Sequence, residues 1–336
     1  LSSFLLHPDF NEVEVDVQRR LALARIASSA DSSWHFRDIV LAKIPGFERS
    51  SPKENAVRLL ELKPPLLRRI HACTVRPDAA ELVVVGPVSV EAVTAQAERA
   101  FDSWETAPPD ATKTCEWPQT VASAPGETVQ RLARTELQLV YGDNDPFITI
   151  AADGPSLESE DFLPFILLAD VLEKRAQGSA KRLRHTGGTY GIWASVTEEA
   201  PGRSVLILRG QLDADVAQDA LRALLQDIGV LSRVLDEGEL ESRKRAWRNE
   251  LVTSMSSNMS LANVLLSGMA RKREVTTLPD MPNEIMRIDA ARCRDVAERW
   301  LASAHPSILV VTGKPRTFLR GLGVDAHVEL KYFSAR

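Results

Sequence analysis

The stretch Ala80-Glu-Leu-Val-Val-Val-Gly86 returns near the end of the chain as Ser307-Ile-Leu-Val-Val-Thr-Gly313, 227 residues later. A second pair of stretches, Asn11-Glu-Val-Glu-Val-Asp-Val-Gln-Arg-Arg20 and Asp236-Glu-Gly-Glu-Leu-Glu-Ser-Arg-Lys-Arg245, is separated by 225 residues. The two shifts are nearly equal, and the predicted helices and strands between the anchors follow the same order. The sequence therefore predicts an internal repeat, which determines the domain organisation.

The two copies of the repeat are unequal in length. Predicted strands and a long helix at 129–235 precede the second copy, whereas only residues 1–10 precede the first. We therefore expect the carboxy-terminal half of a first unit at residues 1–104 and a complete second unit at 129–336. The other half of the first unit was lost, lies on another polypeptide, or lies further upstream in a longer one.

A linker is predicted between the two parts, at residues 105–128. This stretch is rich in Pro, Thr and Ala and shows neither the helical nor the strand period. Such a composition favours an extended chain at the surface.

Hydrophobic periodicity predicts the elements of each part. In the first part it predicts helices over 11–27 and 34–44, a helix opening at 62–66, a buried strand over 81–86 and a helix over 89–100. In the second part it predicts strands over 129–141, 147–151, 189–196, 204–211 and 307–312, with helices over 158–175, 215–228, 236–255, 260–272 and 289–303.

Composition excludes several classes of protein. The chain has 336 residues, of which 44% are hydrophobic and 26% charged, and its net charge is -5. These values are typical of a globular protein rather than a collagen-like or disordered one. The chain has no basic stripe that would bind nucleic acid, and its apolar runs are too short to span a membrane.

The three cysteines, Cys73, Cys115 and Cys293, show no metal-binding or disulfide spacing. Cys73 and Cys293 lie in apolar, helix-like surroundings, which favours small buried side chains. Cysteine usage therefore leaves the redox compartment open.

Several fragments resemble segments of the pitrilysin/insulinase zinc metallopeptidases, and together they cover nearly the whole chain. His7-Pro-Asp-Phe10 with the helix after it is similar to the segment that follows the metal site. Asp78-Ala-Ala-Glu-Leu-Val-Val-Val-Gly-Pro-Val-Ser-Val-Glu91 resembles a strand-turn-helix near the end of a unit. Leu183-Arg-His-Thr-Gly-Gly-Thr-Tyr-Gly-Ile192 resembles a Leu-Arg-Glu-x-x-Gly-x-x-Tyr stretch. The chain is identified as resembling a non-catalytic member of this family, or its inactive half.

The resemblance implies an α+β fold in which each unit is an antiparallel sheet with helices packed on it. In the family, two such units enclose an unfolded peptide. One unit binds zinc through a His-x-x-Glu-His motif and a distant Glu, and the motif's own Glu deprotonates the zinc-bound water. The other unit is catalytically silent and holds the substrate with an Arg and a Tyr.

The zinc motif is absent from this chain, because no two of its six histidines lie within five residues of each other. In active members two Glu seven residues apart lie on the helix that resembles residues 11–27. The best register places Gln18 and Arg25 at those positions, and a cation repels Zn²⁺. We therefore expect no catalytic residue, metal ligand or cofactor in this chain, with zinc only in a partner or upstream unit.

Arg184 and Tyr190 match the substrate-holding pair of the family. Guanidinium and phenol groups can donate hydrogen bonds to a peptide carbonyl or oxyanion. Their spacing is six residues instead of the usual seven, and His185 replaces an acid. A surface ion pair for Arg184 and a strand-opening role for Tyr190 remain an equal alternative, and Arg182 is a possible substitute for Arg184.

The sequence thus predicts a non-catalytic wall of a peptide-holding chamber, which presents Arg184 and Tyr190 to a zinc-bearing unit. Its expected partners are that unit, in the same polypeptide or a separate subunit, and an unfolded peptide. One alternative is a purely structural scaffold without substrate contact. Another is a fragment of an active zinc endopeptidase whose catalytic half lies upstream. The resemblance also favours the periplasm or cell envelope.

Overall fold

A computed structural model describes most of the chain. It describes residues 2–29, 33–45, 47, 52–104, 132, 134–141, 145–183, 191–200, 202–270, 280–302, 304–322 and 327–331. The predicted linker at 105–128 and the residues Cys115, Arg184 and Tyr190 lie outside these ranges. The chain forms two compact units, a smaller one from Leu1–Asp31, Ser50–Thr120 and Ser254–Val275, and a larger one from the remaining residues.

The smaller unit is helical in its described residues. Its helices are α1 (Ser2–Leu6), α2 (Glu12–Ser29), α4 (Pro52–Glu61), α5 (Pro64–Thr74), α6 (Val90–Phe101) and α10 (Asn258–Ala270), with a 3-10 turn at Pro77–Ala79.

Local chemistry explains where several of these helices begin. Pro64 and Pro65 open α5, at positions where a helix needs no backbone N–H. Ser89 caps α6, because its Oγ accepts a hydrogen bond from the backbone N of Ala92 at 3.2 Å. Within the unit, His71 is half-buried, and its Nε2 lies 2.8 Å from the carbonyl oxygen of Leu5, a partner within hydrogen-bond distance.

The larger unit is built on a six-stranded sheet. Its strands are β1 (Glu136–Tyr141), β2 (Phe147–Gly154), β3 (Gly191–Ala200), β4 (Arg203–Gln211), β5 (Ser307–Thr312) and β6 (His327–Lys331). They lie in the order β3-β4-β2-β5-β1-β6. The β3–β4, β4–β2 and β2–β5 pairs are antiparallel, whereas β1 runs parallel to both β5 and β6.

Helices cover both faces of this sheet. The larger unit contains α3 (Ser33–Leu41), α7 (Phe162–Leu183), α8 (Ala217–Val234), α9 (Glu237–Ser254), α11 (Met281–Arg287), α12 (Ala290–Ala297) and α13 (Pro315–Leu322), with one π-helical turn at Glu298–Ala302. Helices α7, α8 and α12 form one core with the inner strand residues, for which Phe165, Leu172, Leu221 and Val310 are representative. On the opposite face Phe36, Val40 and Leu41 of α3 pack against Ile207 and Leu309.

The structure confirms the predicted α+β fold of helices on a sheet. The sheet is mixed rather than wholly antiparallel, because β5 follows a series of helices that cross over and return it parallel to β1. The predicted helices are present, and the strand predictions for the second part are confirmed at β1 to β5.

Two sequence interpretations are wrong. Residues 81–85 do not form a buried strand; they have no regular secondary structure and no pairing strand among the described residues, and Leu82 is 54% exposed. Cys73 is not a buried thiol but is disulfide-bonded, whereas Cys293 is free and fully buried as predicted. The physical reason is common to both: a partner distant in sequence decides strand pairing and disulfide formation.

The predicted domains 1–104 and 129–336 remain a prediction. The compact units do not follow those limits, because α3 clusters with the larger unit and α10 with the smaller one. None of the described helices combines the length and apolar character needed to cross a membrane.

Candidate functional site

The two positions at which the family carries acidic residues lie on one face of α2. Gln18 and Arg25 are seven residues apart, which is two helical turns, and both line a cavity of about 1010 Å³ within the smaller unit. The cavity is otherwise mostly apolar, with Val15, Ala22 and Leu59 in its wall. Gln18 and Arg25 therefore face the same cavity.

This cavity does not suit a zinc ion. Zinc binds Cys, His and carboxylate groups, whereas Gln18 offers an amide and Arg25 a permanent positive charge. His7, Asp9 and Glu14 also line the cavity, but the described residues contain no group of three His, Cys, Asp or Glu able to hold a metal ion.

The predicted pair Arg184 and Tyr190 lies in the connection between α7 and β3, outside the described residues. Helix α7 ends at Leu183 and strand β3 begins at Gly191, so the described structure fixes both ends of the connection. Strand β3 lies at one edge of the sheet formed by the described strands, and β6 lies at the other. The connection therefore leads directly to a sheet edge.

Two side chains of α7 hold the start of β3. Glu173 accepts a hydrogen bond through Oε2 from the backbone N of Ala194 at 2.8 Å. Gln177 donates from Nε2 to Glu173 at 3.0 Å and to the carbonyl of Ile192 at 3.4 Å. These bonds satisfy edge groups that a further strand would otherwise pair with, and they fasten β3 to the helix that precedes the connection.

Backbone geometry at the start of β3 requires glycine at two positions, Gly191 of β3 and Gly210 of β4. Gly191 has φ +92°, a left-handed conformation that L side chains rarely adopt. A Cβ on Gly210, in the adjacent strand, would lie 2.1 Å from the carbonyl oxygen of Gly191. The close approach of the two glycines positions the end of the connection against β4.

An exposed tryptophan follows this turn. Trp193 is 48% exposed and lies on the sheet face opposite α7, directly across from Arg209 of β4. A tryptophan is commonly a core or interface residue, and the exposure of Trp193 excludes the core. The signal was available in the alternation of β3, since Ile192 and Ala194 belong to the core face and Trp193 does not.

Helix α3 covers the central part of that face and leaves Trp193 exposed. Phe36 packs on Phe147 of β2 with ring centroids 5.4 Å apart. Arg37 forms an ion pair with Glu199, near the far end of β3. The surface at the start of β3 is therefore exposed, and in the sequence it directly follows the residues from Arg184 to Tyr190.

Charged groups in the middle of α7 are held in place by ion pairs. Arg175 donates to Glu239 at 2.7 Å, which raises the pKa of its guanidinium, although burial acts in the opposite direction. Burial raises the pKa of the Asp170 carboxyl, an effect that the charge of Arg243 at 3.6 Å partly offsets. These groups fix α7 against the neighbouring helices rather than forming a reactive centre.

Comparisons with known proteins agree with this geometry. The family model described as "Peptidase M16 inactive domain" matches residues 63–246, more than half of the chain. No curated protein matches the chain.

Several solved bacterial structures share the fold. A peptidase M16 inactive domain from Pseudomonas fluorescens is 14% identical, with a TM-score of 0.71 over 93% of this chain and 73% of that one. The first half of the periplasmic protease PqqL from Escherichia coli is 15% identical, with a TM-score of 0.67 over 98% of this chain and 75% of that one. This chain spans 39% of a longer PqqL structure. A protease from Helicobacter pylori is 13% identical, with a TM-score of 0.66 over 90% of this chain and 73% of that one.

Proposed function

The chain belongs to the peptidase M16 inactive-domain family, and from this premise we propose that it forms a wall of a peptide-holding chamber and presents Arg184 and Tyr190 to a zinc-bearing partner unit. The matching family model is described as an inactive domain, which supports a non-catalytic role and the expectation that this chain supplies no zinc site. The chamber, the peptide and the partner are the proposal.

The observation that carries the proposal is the anchoring of the 184–190 connection. Glu173 and Gln177 tie the start of β3 to α7, so the chain on each side of the connection is fixed. Trp193 exposes an aromatic ring just beyond it. An exposed aromatic side chain beside an anchored connection can hold an extended peptide by stacking, whereas the edge groups of Ile192 and Ala194 are already bonded to α7.

The proposed partner is a zinc-bearing unit of the same family. The structural neighbours include one half of the protease PqqL, which supports a paired arrangement of units. Because the cavity beside Gln18 and Arg25 offers no suitable ligand set, zinc chemistry would come from that partner, and the role of this chain would be to orient the peptide.

An extracytoplasmic location is part of the proposal. The disulfide at Cys73 supports it, because disulfides persist in oxidising compartments and are rare in the cytosol. The periplasmic neighbour PqqL points the same way. A thiol titration of the denatured chain is expected to find fewer than three free thiols before reduction and three after it.

Peptide binding by the purified chain tests the main proposal. We expect Arg184→Ala and Tyr190→Phe each to weaken the binding of a fluorescein-labelled, unstructured peptide by about tenfold, as the loss of one charged or phenolic hydrogen bond implies. Arg222→Ala is the control, since this arginine is exposed and pairs with Asp219 on α8. Unchanged affinity in both variants would favour a purely structural scaffold.

A metal analysis separates the third possibility, an active endopeptidase. The purified chain should contain far less than one zinc per molecule and should not hydrolyse the labelled peptide. Cleavage that a chelator abolishes would contradict the non-catalytic assignment.

A further inference from the structure

The two faces of the sheet in the larger unit differ in cover. On the face that α7 covers, Ile150 and Leu208 belong to the apolar core. The opposite face, called the α3 face below, carries the alternate residues of β2, β3 and β4, and α3 packs on part of it. Its exposed part lies at the start of β3, where Trp193 is 48% exposed and Ser195 is also exposed. A ligand can therefore reach side chains of the sheet at this end.

The strand register places an arginine beside Trp193 on this surface. Arg209 of β4 is half-buried and pairs with Trp193 of β3 on one side and with Thr149 of β2 on the other. Directly opposed residues of antiparallel strands have Cβ atoms about 4.5–5.5 Å apart, and diagonal neighbours are still within reach of long side chains. Phe147 of β2 is such a diagonal neighbour of Arg209, and it is half-buried. Arg209 therefore lies between two aromatic residues of the same face.

The ring of Trp193 extends toward the start of β3. Its Cζ2 lies 3.8 Å from the position that a Cβ on Gly191 would take. The ring therefore lies alongside the first residue of β3. In the sequence this end of the strand directly follows Arg184 and Tyr190, the residues proposed to hold the peptide.

The charges on the α3 face have a positive balance. Strands β2, β3 and β4 place four charged side chains on it, those of Asp153, Glu199, Arg203 and Arg209. Arg203 pairs with Asp153 at 2.6 Å, and Glu199 pairs with Arg37 of α3. Each of these two pairs is neutral, so Arg209 adds a positive charge to the face.

A guanidinium group between aromatic rings suits one kind of ligand. The planar guanidinium binds a carboxylate through two parallel hydrogen bonds, which an ammonium group cannot match. The rings beside it offer apolar contact area to a side chain next to that carboxylate. The surface therefore favours an anionic peptide with an adjacent apolar residue over a neutral or basic one.

We propose that Arg209 binds a carboxylate of the peptide and that Trp193 and Phe147 hold a large apolar side chain next to it. The carboxylate belongs to an acidic side chain or to the carboxy terminus of the peptide. This inference rests on the proposed peptide binding and adds a preference for charge to it. Arg209 is a residue that determines specificity, and no chemical step is assigned to it.

Four labelled peptides of one unstructured sequence test the proposal on the 336-residue chain. The parent peptide carries Phe-Glu in its middle and ends in Phe, the second has Gln in place of Glu, the third has an amidated carboxy terminus, and the fourth has both changes. Fluorescence anisotropy should show that loss of the recognised carboxylate weakens binding about tenfold, as for one charge-assisted interaction. The single change that causes this loss identifies the source of the carboxylate.

The peptide series separates the failure of this inference from that of the proposed function. Equal affinity for all four peptides overturns the inference and leaves peptide binding in place. A chain that binds none of the four overturns both.

Variants of Arg209 assign the preference to this residue. Arg209→Gln should bind the parent peptide and the peptide without the recognised carboxylate equally well. Arg209→Lys should keep part of the discrimination, because lysine retains the charge and loses the bidentate geometry. Arg222→Gln is the matched control, since this arginine of α8 is exposed and pairs with Asp219, and it should keep the whole tenfold preference. Full discrimination in both Arg209 variants overturns the assignment.

Trp193→Ala tests the aromatic part of the surface. It should abolish a preference for a peptide with Phe beside the carboxylate over one with Ala there, and it should leave the preference for the carboxylate unchanged. Both readouts are ratios of two affinities measured on one protein, so a general loss of stability does not imitate them. A preference for Phe that survives the loss of Trp193 overturns the role of this ring.

Discussion

The guanidinium carbon of Arg203 lies 4.3 Å from the centroid of the Phe47 ring. The same guanidinium donates to Asp153 at 2.6 Å and to the carbonyl of Pro45. Arg203 begins β4, and Phe47 follows α3, so this one side chain ties the segment after α3 to the sheet. Arg203 is only 6% exposed, so these partners replace the water that would otherwise solvate its positive charge.

Arg203→Ala should therefore strongly destabilise the chain. The substitution removes the guanidinium that pairs with the nearly buried carboxylate of Asp153, and removal of one partner of a buried pair costs about 3–5 kcal/mol. Urea denaturation measures the change in the free energy of unfolding. The control is Arg222→Ala, whose exposed pair with Asp219 should contribute less than about 1 kcal/mol. Similar effects from both variants would contradict the anchoring role of Arg203.

The sequence predicted the two copies of the repeat but not that only one of the two apolar stretches forms a buried strand. The apolar stretches 80–86 and 307–313 are nearly alike, and both predict a buried strand. Only β5 is one, because β1 and β2 pair with it. Strand burial depends on partners distant in sequence, which local periodicity does not contain.

The candidate site, like the fold, could be predicted from the sequence only in part. The face shared by Gln18 and Arg25 follows from the helical period, so the sequence sufficed for it. The exposure of Trp193 depends on β3 being the edge strand and on α3 covering only the central strands. Neither fact can be obtained without the sheet order.

Gly210→Ala should destabilise the sheet edge at β3. The new methyl group would meet the backbone of Gly191 at 2.1 Å, and a backbone atom cannot move aside without disturbing the strand pairing. We expect a loss of about 2–3 kcal/mol in the free energy of unfolding, measured by urea denaturation. Gly229→Ala, in the interior of α8, is the matched control, since its methyl group would meet nothing within 4 Å. That change should stabilise the chain by about 0.5–1 kcal/mol.

Trp193→Ala should affect mainly peptide binding, whereas Trp300→Ala should affect mainly stability. Trp193 is exposed, so its loss should change stability by less than about 1 kcal/mol while weakening the proposed peptide binding. Trp300 packs against Phe165 and donates from Nε1 to Asp161 at 3.0 Å, so its loss should cost about 3 kcal/mol. Thermal unfolding and peptide anisotropy, measured on both variants, separate the two roles. Unaltered peptide affinity in Trp193→Ala would remove this ring from the proposed site.

Cys293 should make stability depend on pH in the alkaline range. Burial is the main cause that raises the pKa of its thiol to about 12, above the ordinary value of 9.0. The folded state therefore holds this proton more tightly than the unfolded state. The resulting stabilisation is complete below pH 9 and is lost as the pH rises towards 12.

The measurement compares the chain with Cys293→Ala, which removes this titration and leaves the others. Urea denaturation at pH 8, 9 and 10 should show the stability advantage of the cysteine chain shrinking by roughly 1 kcal/mol between pH 8 and pH 10. A constant difference between the two proteins would show that the thiol titrates normally. Alkylation gives a second readout, because a fully buried neutral thiol should react with iodoacetamide only as fast as the chain unfolds.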